Sequence, residues 1–194
     1  MAHLINRKLF KFLIWSTLLF VMLGFLFVVY LKSDWNKAFN QQQLSQLKSQ
    51  IRKAEPLTIK FIEIFDELYA TTNTNGILFD ATTTNRKRIC PCVQLASIVS
   101  INKNNRYFAN RYVLSWKLEK DFTQKQCFSY FVQNYYFGHG QHGIFEASEY
   151  YFHKELNELE FQEMKTLALM LKNPVLYNPR RDSKLDENNS NIKN

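Results

Sequence analysis

The chain has 194 residues, with 25 Lys and Arg against 17 Asp and Glu and a formal charge of +8. Its three cysteines, Cys90, Cys92 and Cys127, have no second Cys or His cluster close enough in sequence to make a zinc site. The basic excess suits anionic lipid head groups or pyrophosphates as readily as nucleic acid, and solubility alone explains it equally well, so charge selects no partner.

The opening differs from everything after it. Residues 12–31, FLIWSTLLFVMLGFLFVVYL, are uncharged and follow Arg7, Lys8 and Lys11. At 1.5 Å per residue they cross a hydrocarbon core of ~30 Å. A cleaved secretory signal has a shorter apolar core and a small-residue cleavage site, whereas YLKSDW follows here. The positive-inside bias predicts cytoplasmic residues 1–11, a single-pass transmembrane helix over 12–31 in the inner (cytoplasmic) membrane, and a body on the outer, periplasmic face. In AFNQQQLSQLKSQIRKA, Leu44, Leu47 and Ile51 fall on one helical face amid polar residues, which predicts a stalk helix within 32–55, ended by Pro56. The chain beyond the span, about 160 residues, suffices for one domain with a modest core, placed at 56–179.

LTIKFIEIFDELYA, Leu57 to Ala70, is dense enough in apolar residues for a mostly buried helix. TTNTNGILFDATTTNRKR is rich in Thr and Asn, whose side chains compete for backbone hydrogen bonds, and reads as a mobile loop. VQLASIVSI fits a helix or a strand equally. The spacing of Tyr107, Ala109, Val113, Trp116 and Leu118 is helical, and Thr123 with Gln126 forms a capping box opening a further helix. IFEASEYYFHKEL and EFQEMKTLALMLKNP read as two more helices, the last stopped by Pro174, and the tail 180–194 is polar enough for disorder. Cys90 and Cys92 are too close in sequence for an unstrained bridge. The three cysteines read as small apolar fillers, with a Cys92–Cys127 bridge as the alternative.

GHGQHG, Gly138 to Gly143, has the G-x-G-x-x-G spacing of a dinucleotide fingerprint, but no strand–turn–helix context surrounds it. His139 and His142 resemble a metal pair, yet only His153 or Glu146 is near enough in sequence to complete the set, and flanking glycines would orient both poorly. The segment reads as a tight helix-to-helix loop in which Gly138, Gly140 and Gly143 accept positive φ or close packing.

From that loop onward the sequence resembles the peptidoglycan glycosyltransferases, the transglycosylase domain of class A penicillin-binding proteins and of single-domain membrane-anchored enzymes. The residues carrying the resemblance are Tyr136, Phe137, Gly138, Gly140, Gly143, Ile144, Ala147, Ser148, Tyr151, Phe152, Lys154, Leu156, Leu159, Glu163, Leu167, Ala168, Pro174, Tyr177, Asn178 and Pro179. The resemblance implies a mainly α, lysozyme-like fold in two lobes around a cleft facing the membrane. It also implies polymerisation of lipid II, with one glutamate as base on the acceptor hydroxyl and basic residues at the departing pyrophosphate. Lys154 and Gln94 are the substrate-binding candidates.

Upstream the family's motifs are poorly matched. E-D-x-x-F-x-x-H falls on FDELYATT, so that Phe65 replaces the catalytic glutamate and Thr72 the histidine. G-G-S-T-I-T-Q-Q-L falls on KRICPCVQL, leaving Gln94 and Leu95, and R-K-x-x-E falls on Tyr107, Phe108 and Arg111, a charge reversal at the second glutamate. Gln124 replaces a lysine. Asp66 and Glu67 are the fallback acids, although a helix turns Asp66 about 100° from Phe65. Glu63 and Glu67 read as a solvated stripe, and Glu163 as a carboxylate at a helix N-terminus. Tyr135, Tyr136, Tyr150 and Tyr151 read as core or as a sugar-stacking wall.

The expectation is a membrane-anchored, catalytically degenerate glycosyltransferase-like protein of the cell envelope that binds lipid II, glycan or a wall-assembly partner. The rivals are an active divergent enzyme, with a divalent cation as its one conceivable cofactor, and a structural subunit of an envelope complex. Neither a protein-bound metal nor a nucleic acid partner is expected.

Overall fold

A computed structural model describes residues 2–33, 35–36, 39–82, 88–102 and 108–181. The chain separates into two units, Met1–Gln43 and Leu44–Asn194.

The first unit is dominated by α1 (Ala2–Lys32). Its stretch Leu9–Lys32 has a mean hydropathy of 2.6 and is long and apolar enough to cross a membrane. Thr17 Oγ1 donates to Ile14 O at 2.8 Å and Ser33 Oγ to Tyr30 O at 2.7 Å, so these hydroxyls are satisfied along the helix itself.

The second unit is mainly helical, as both the residue pattern and the resemblance required. In chain order its elements are α2 (Gln41–Lys53), α3 (Ile59–Leu68), β1 (Ala70–Thr71), α4 (Thr74–Thr82), β2 (Arg88–Ile89), α5 (Pro91–Asn102), α6 (Phe108–Leu118), α7 (Gln124–Asn134), β3 (Tyr136–Gly138), β4 (Gln141–His142), α8 (Ile144–Phe152) and α9 (Phe161–Met170). α5 packs on α6 and α7, and α3 on α9. Phe61, Leu95, Leu114, Leu118, Phe137, Ile144 and Leu167 are fully buried. Each such side chain contributes roughly 1.5–3 kcal/mol relative to exposure. β1 and β2 pair in parallel, Ala70 with Arg88 and Thr71 with Ile89. β3 and β4 form an antiparallel hairpin around the glycine loop.

Several local expectations match. Thr58 caps α3 through Phe61 N, and Thr123 and Gln126 form the reciprocal capping box of α7. Gly138, Gly140 and Gly143 have φ of 93°, 82° and 89°. His139 and His153 share the left-handed region, with φ of 51° and 54°. The ambiguous VQLASIVSI is helical and belongs to α5.

Other expectations need correcting. Leu44, Leu47 and Ile51 are buried, so the apolar face of the supposed stalk is packed, and among the described residues of 32–55 α2 covers Gln41–Lys53. The Thr/Asn segment is not simply a loop. Asn73 Oδ1 accepts from Gly76 N at 2.9 Å and α4 begins at Thr74, because the same side chains that compete with a helix interior initiate a helix from its first turn. Cys92 and Cys127 are not fillers; they form a disulfide with a Cα–Cα distance of 4.9 Å, joining the start of α5 to α7. Cys90 remains a buried free thiol. Arg180, assigned to the disordered tail, donates to Tyr150 O at 2.6 Å and lies 4.1 Å over the Tyr150 ring. The rest of the predicted tail, 182–194, and Tyr107 lie outside the described residues.

Candidate active-site cleft

α3 carries Phe61 and Phe65 one turn apart, with Tyr69 at its end. These residues are 0%, 3% and 9% exposed. The Phe65 ring centroid lies 4.0 Å from that of Phe128 on α7 and 5.0 Å from that of Tyr69, and Phe61 stacks on Phe128 at 6.2 Å. Each aromatic pair contributes about 0.5–1.5 kcal/mol beyond its buried area. Phe65 is therefore part of an aromatic core.

Beside that core lies a cavity of ≈ 580 Å³ lined by Phe65, Leu68, Tyr69, Arg88, Ile89, Pro91, Gln94, Phe128, Phe131, Tyr135, Leu171 and Lys172. Its charged lining consists of two cations, and no lining residue is a carboxylate. Burial raises the hydroxyl pKa of both Tyr69 and Tyr135, so both are neutral at physiological pH. The β1–β2 pairing places Arg88 here. Its Nε donates to Asp80 Oδ2 at 2.8 Å and its Nη2 to Asp80 Oδ1. These hydrogen bonds hold the Asp80 carboxyl below its usual range and push the guanidinium up. Gln94 stands on the exposed side of α5 at the same cavity.

Behind the cavity wall a polar knot joins four elements. Glu119 Oε1 accepts from Thr74 N at 2.8 Å, Thr74 Oγ1 at 2.8 Å and Gln124 Nε2 at 2.8 Å. Thr74 Oγ1 also lies 2.6 Å from Ser115 Oγ, and Gln124 Oε1 accepts from Cys92 N at 3.1 Å. Burial pushes the Cys90 thiol up to about 11, which leaves it a protonated donor toward Glu119 and Gln124, each at 3.5 Å, rather than a nucleophile. Gln124 bridges this knot to the disulfide at Cys92.

The other sequence candidates are dispersed. Asp66 is exposed and lines a small recess with Thr71, Gln124 and Lys125, while Glu63 and Glu67 line a different groove that faces α9. Arg111 Nη2 donates to Tyr112 Oη at 2.9 Å, with the guanidinium 4.8 Å from that ring, and Arg111 is absent from the cavity lining. Lys154 Nζ donates to both Glu163 carboxylate oxygens, at 2.9 and 3.0 Å. Glu163 accepts from Glu160 N at 2.8 Å, completing the capping box of α9, so Lys154 and Glu163 fasten α8 to α9.

The glycine loop is structural in detail. A Cβ on Gly143 would lie 2.6 Å from Gln133 O. Tyr151 Oη donates to Phe137 O at 2.9 Å, and the ring of His139 is joined through Nε2 to Asn178 Nδ2 at 2.9 Å. His142 N donates to Glu146 Oε2 at 2.9 Å, while its ring tilts against Tyr136. Among the described residues, no group of three or more His, Cys, Asp or Glu is placed to hold a metal. Sequence reasoning missed Tyr69, Arg88 and Lys172 as cavity residues. The signals for Arg88 were the basic run NRKR before Cys90 and its place within KRICPCVQL, the frame that also holds Gln94.

The family model described as Transglycosylase matches residues 93–193, just over half of the chain. The chain belongs to the transglycosylase family. It is 38% identical over 71 residues to penicillin-binding protein 2a of Streptococcus pneumoniae, which is 37% of this chain and 10% of that protein. It is 37% identical over 67 residues to penicillin-binding protein 1F of Bacillus subtilis, covering 34% of this chain and 9% of the relative. Penicillin-binding protein 1A of Aquifex aeolicus is 34% identical over 67 residues, with the same 34% and 9% coverage. The chain thus spans about a tenth of the length of these relatives. The family match begins at Val93, downstream of Phe65 and upstream of Arg111.

Proposed function

We propose that this protein is a membrane-anchored transglycosylase-family member that binds a lipid-linked glycan precursor or a glycan strand without polymerising it. The observation that carries this reading is the cavity lining: aromatic and amide side chains with two cations and no carboxylate. Arg88 and Lys172 suit an anionic pyrophosphate, Gln94 a sugar hydroxyl, and Tyr69 and Tyr135 the apolar face of a sugar ring. Sugar transfer to a hydroxyl needs a group that takes the hydroxyl proton, a role contributing typically 10²- to 10⁴-fold in rate. Phe65 and Arg111 supply no such group. The stretch Leu9–Lys32 supports a single-pass anchor, and the basic residues before it support an orientation with the domain outside.

The test uses the full chain in lipid nanodiscs with lipid II. Saturable binding without polymer is expected, and binding weakens in Lys172→Ala and Gln94→Ala. Polymer formation overturns the reading. Polymer lost in Asp66→Ala or Glu67→Ala would establish a divergent enzyme instead, and neither binding nor polymer would leave a structural role in an envelope complex.

A further inference from the structure

We propose that the groove between α3 and α9 is a docking site for a basic amphipathic helix of another protein. This groove, ≈ 500 Å³ in volume, shares no lining residue with the Arg88 cavity. Its floor is apolar: Ile64, Leu159 and Met164 are 5%, 5% and 1% exposed, while the Phe161 ring at its edge remains 49% exposed. Its rim carries Glu63, Glu67 and Glu160 against the single cation Lys60. The sign is opposite to that of the chain as a whole, which carries +8.

Two features separate this groove from an ordinary solvated face. Glu63 and Glu67 are four residues apart on one helix, a like-charge spacing that destabilises a helix unless a cation lies against it. Among the described residues, the ion pairs Lys48–Asp121, Arg88–Asp80 and Lys154–Glu163 do not involve Glu63 or Glu67, and Lys60 is the one cation that lines the groove beside these carboxylates. The second feature is the combination of acids with a dry floor. A small cation would be served by the carboxylates alone, whereas the floor and the exposed Phe161 ring call for apolar side chains. Lys165 Nζ already lies 5.8 Å from the Phe161 centroid, so this ring face accepts an ammonium.

The dimensions select a helix. Lys60, Glu63, Ile64 and Glu67 follow i, i+3, i+4, i+7 along α3, a length of about 10 Å, which matches two turns of a facing helix anchored by residues of the same spacing. Leucine-sized anchors fill the floor, and Lys or Arg on the flanks meet the three carboxylates.

The probe is a fluorescent helical peptide of about four turns, with Leu along one face and Lys elsewhere, titrated by anisotropy into the full chain in nanodiscs of zwitterionic lipid, with empty nanodiscs as blank. Saturable binding is expected, weakening as salt rises and falling roughly tenfold in the Glu63→Lys/Glu67→Lys double variant. The gentler Glu63→Gln/Glu67→Gln double variant and Phe161→Ala weaken binding severalfold, and Lys172→Ala leaves it unchanged. Since Lys172 lines only the other cavity, this pattern separates the groove from the glycan-binding reading. Absence of binding overturns the proposal, as does equal binding of a Leu/Glu peptide or undiminished binding in both double variants. Sedimentation showing a dimer of the wild-type chain that Glu63→Lys/Glu67→Lys dissolves would make the occupant a second copy and overturn it equally.

Discussion

The region from Tyr136 to Pro179 and the region around Phe65 beside the cavity are held by different physical demands. In the first, the matching residues are held by geometry: Gly143 has no room for a Cβ, Tyr151 closes the hairpin through Phe137 O, and Glu163 caps α9 while gripping Lys154. Replacing any of these breaks a specific contact. In the second, the Phe65 side chain is held by apolar packing rather than by hydrogen bonds. Here the Phe65 ring meets Phe128 and Tyr69 in an aromatic core, so its duty in this chain is packing.

This contrast puts the largest expected effect at Phe65. Phe65→Ala is expected to lower unfolding free energy by about 3–5 kcal/mol in chemical denaturation. A loss below about 1 kcal/mol would mean that the ring is not core and the comparison fails. Gly143→Ala should cost less, about 1–3 kcal/mol, from φ of 89° and the clash with Gln133 O. An unchanged melting temperature would break the comparison from the other side, by showing that the loop does not need its glycine.

The smallest effect is electrostatic. The Glu163 carboxyl is held below its ordinary value by Lys154 first and the Glu160 backbone N–H second, and Asp80 is held low by Arg88. Because both folded-state pKa values are depressed, their contribution is fully present above the unfolded values, about 4, and is lost as pH falls through the lower folded values. Denaturation midpoints measured downward from neutral pH should decline below about pH 4, and Lys154→Ala should shrink that decline. An acid limb unaffected by the variant would remove Lys154 as the cause.

Much of this fold was legible because local rules stated it. Thr123 and Gln126 announced the start of α7, and the glycines announced positive φ. What stayed hidden depended on partners distant in sequence. The Cys92–Cys127 bridge, present in the sequence only as an alternative to apolar filling, closes across a separation of 35, and nothing near either residue favours the pairing. Leu44, Leu47 and Ile51 form the same stripe on a free stalk as on a packed helix, and only burial tells the two apart. TTNTNG misled because Asn73 performs turn chemistry that begins α4. The cavity was half legible: the motif frame spans both Arg88 and Gln94 but singled out only Gln94, because the place of Arg88 depends on a two-residue parallel pairing that no periodicity reveals.

The bridge between Cys92 and Cys127 also gives the domain a sense of place. Such bonds endure in oxidising surroundings and are rare where cellular thiols are kept reduced. A chain detained on the reducing side would carry two loose thiols where α5 is fastened to α7, and the wall formed by Pro91, Gln94 and Phe128 would lack its covalent rivet. The oxidation of one thiol pair thus ties the folded form of this wall to a compartment that can perform it.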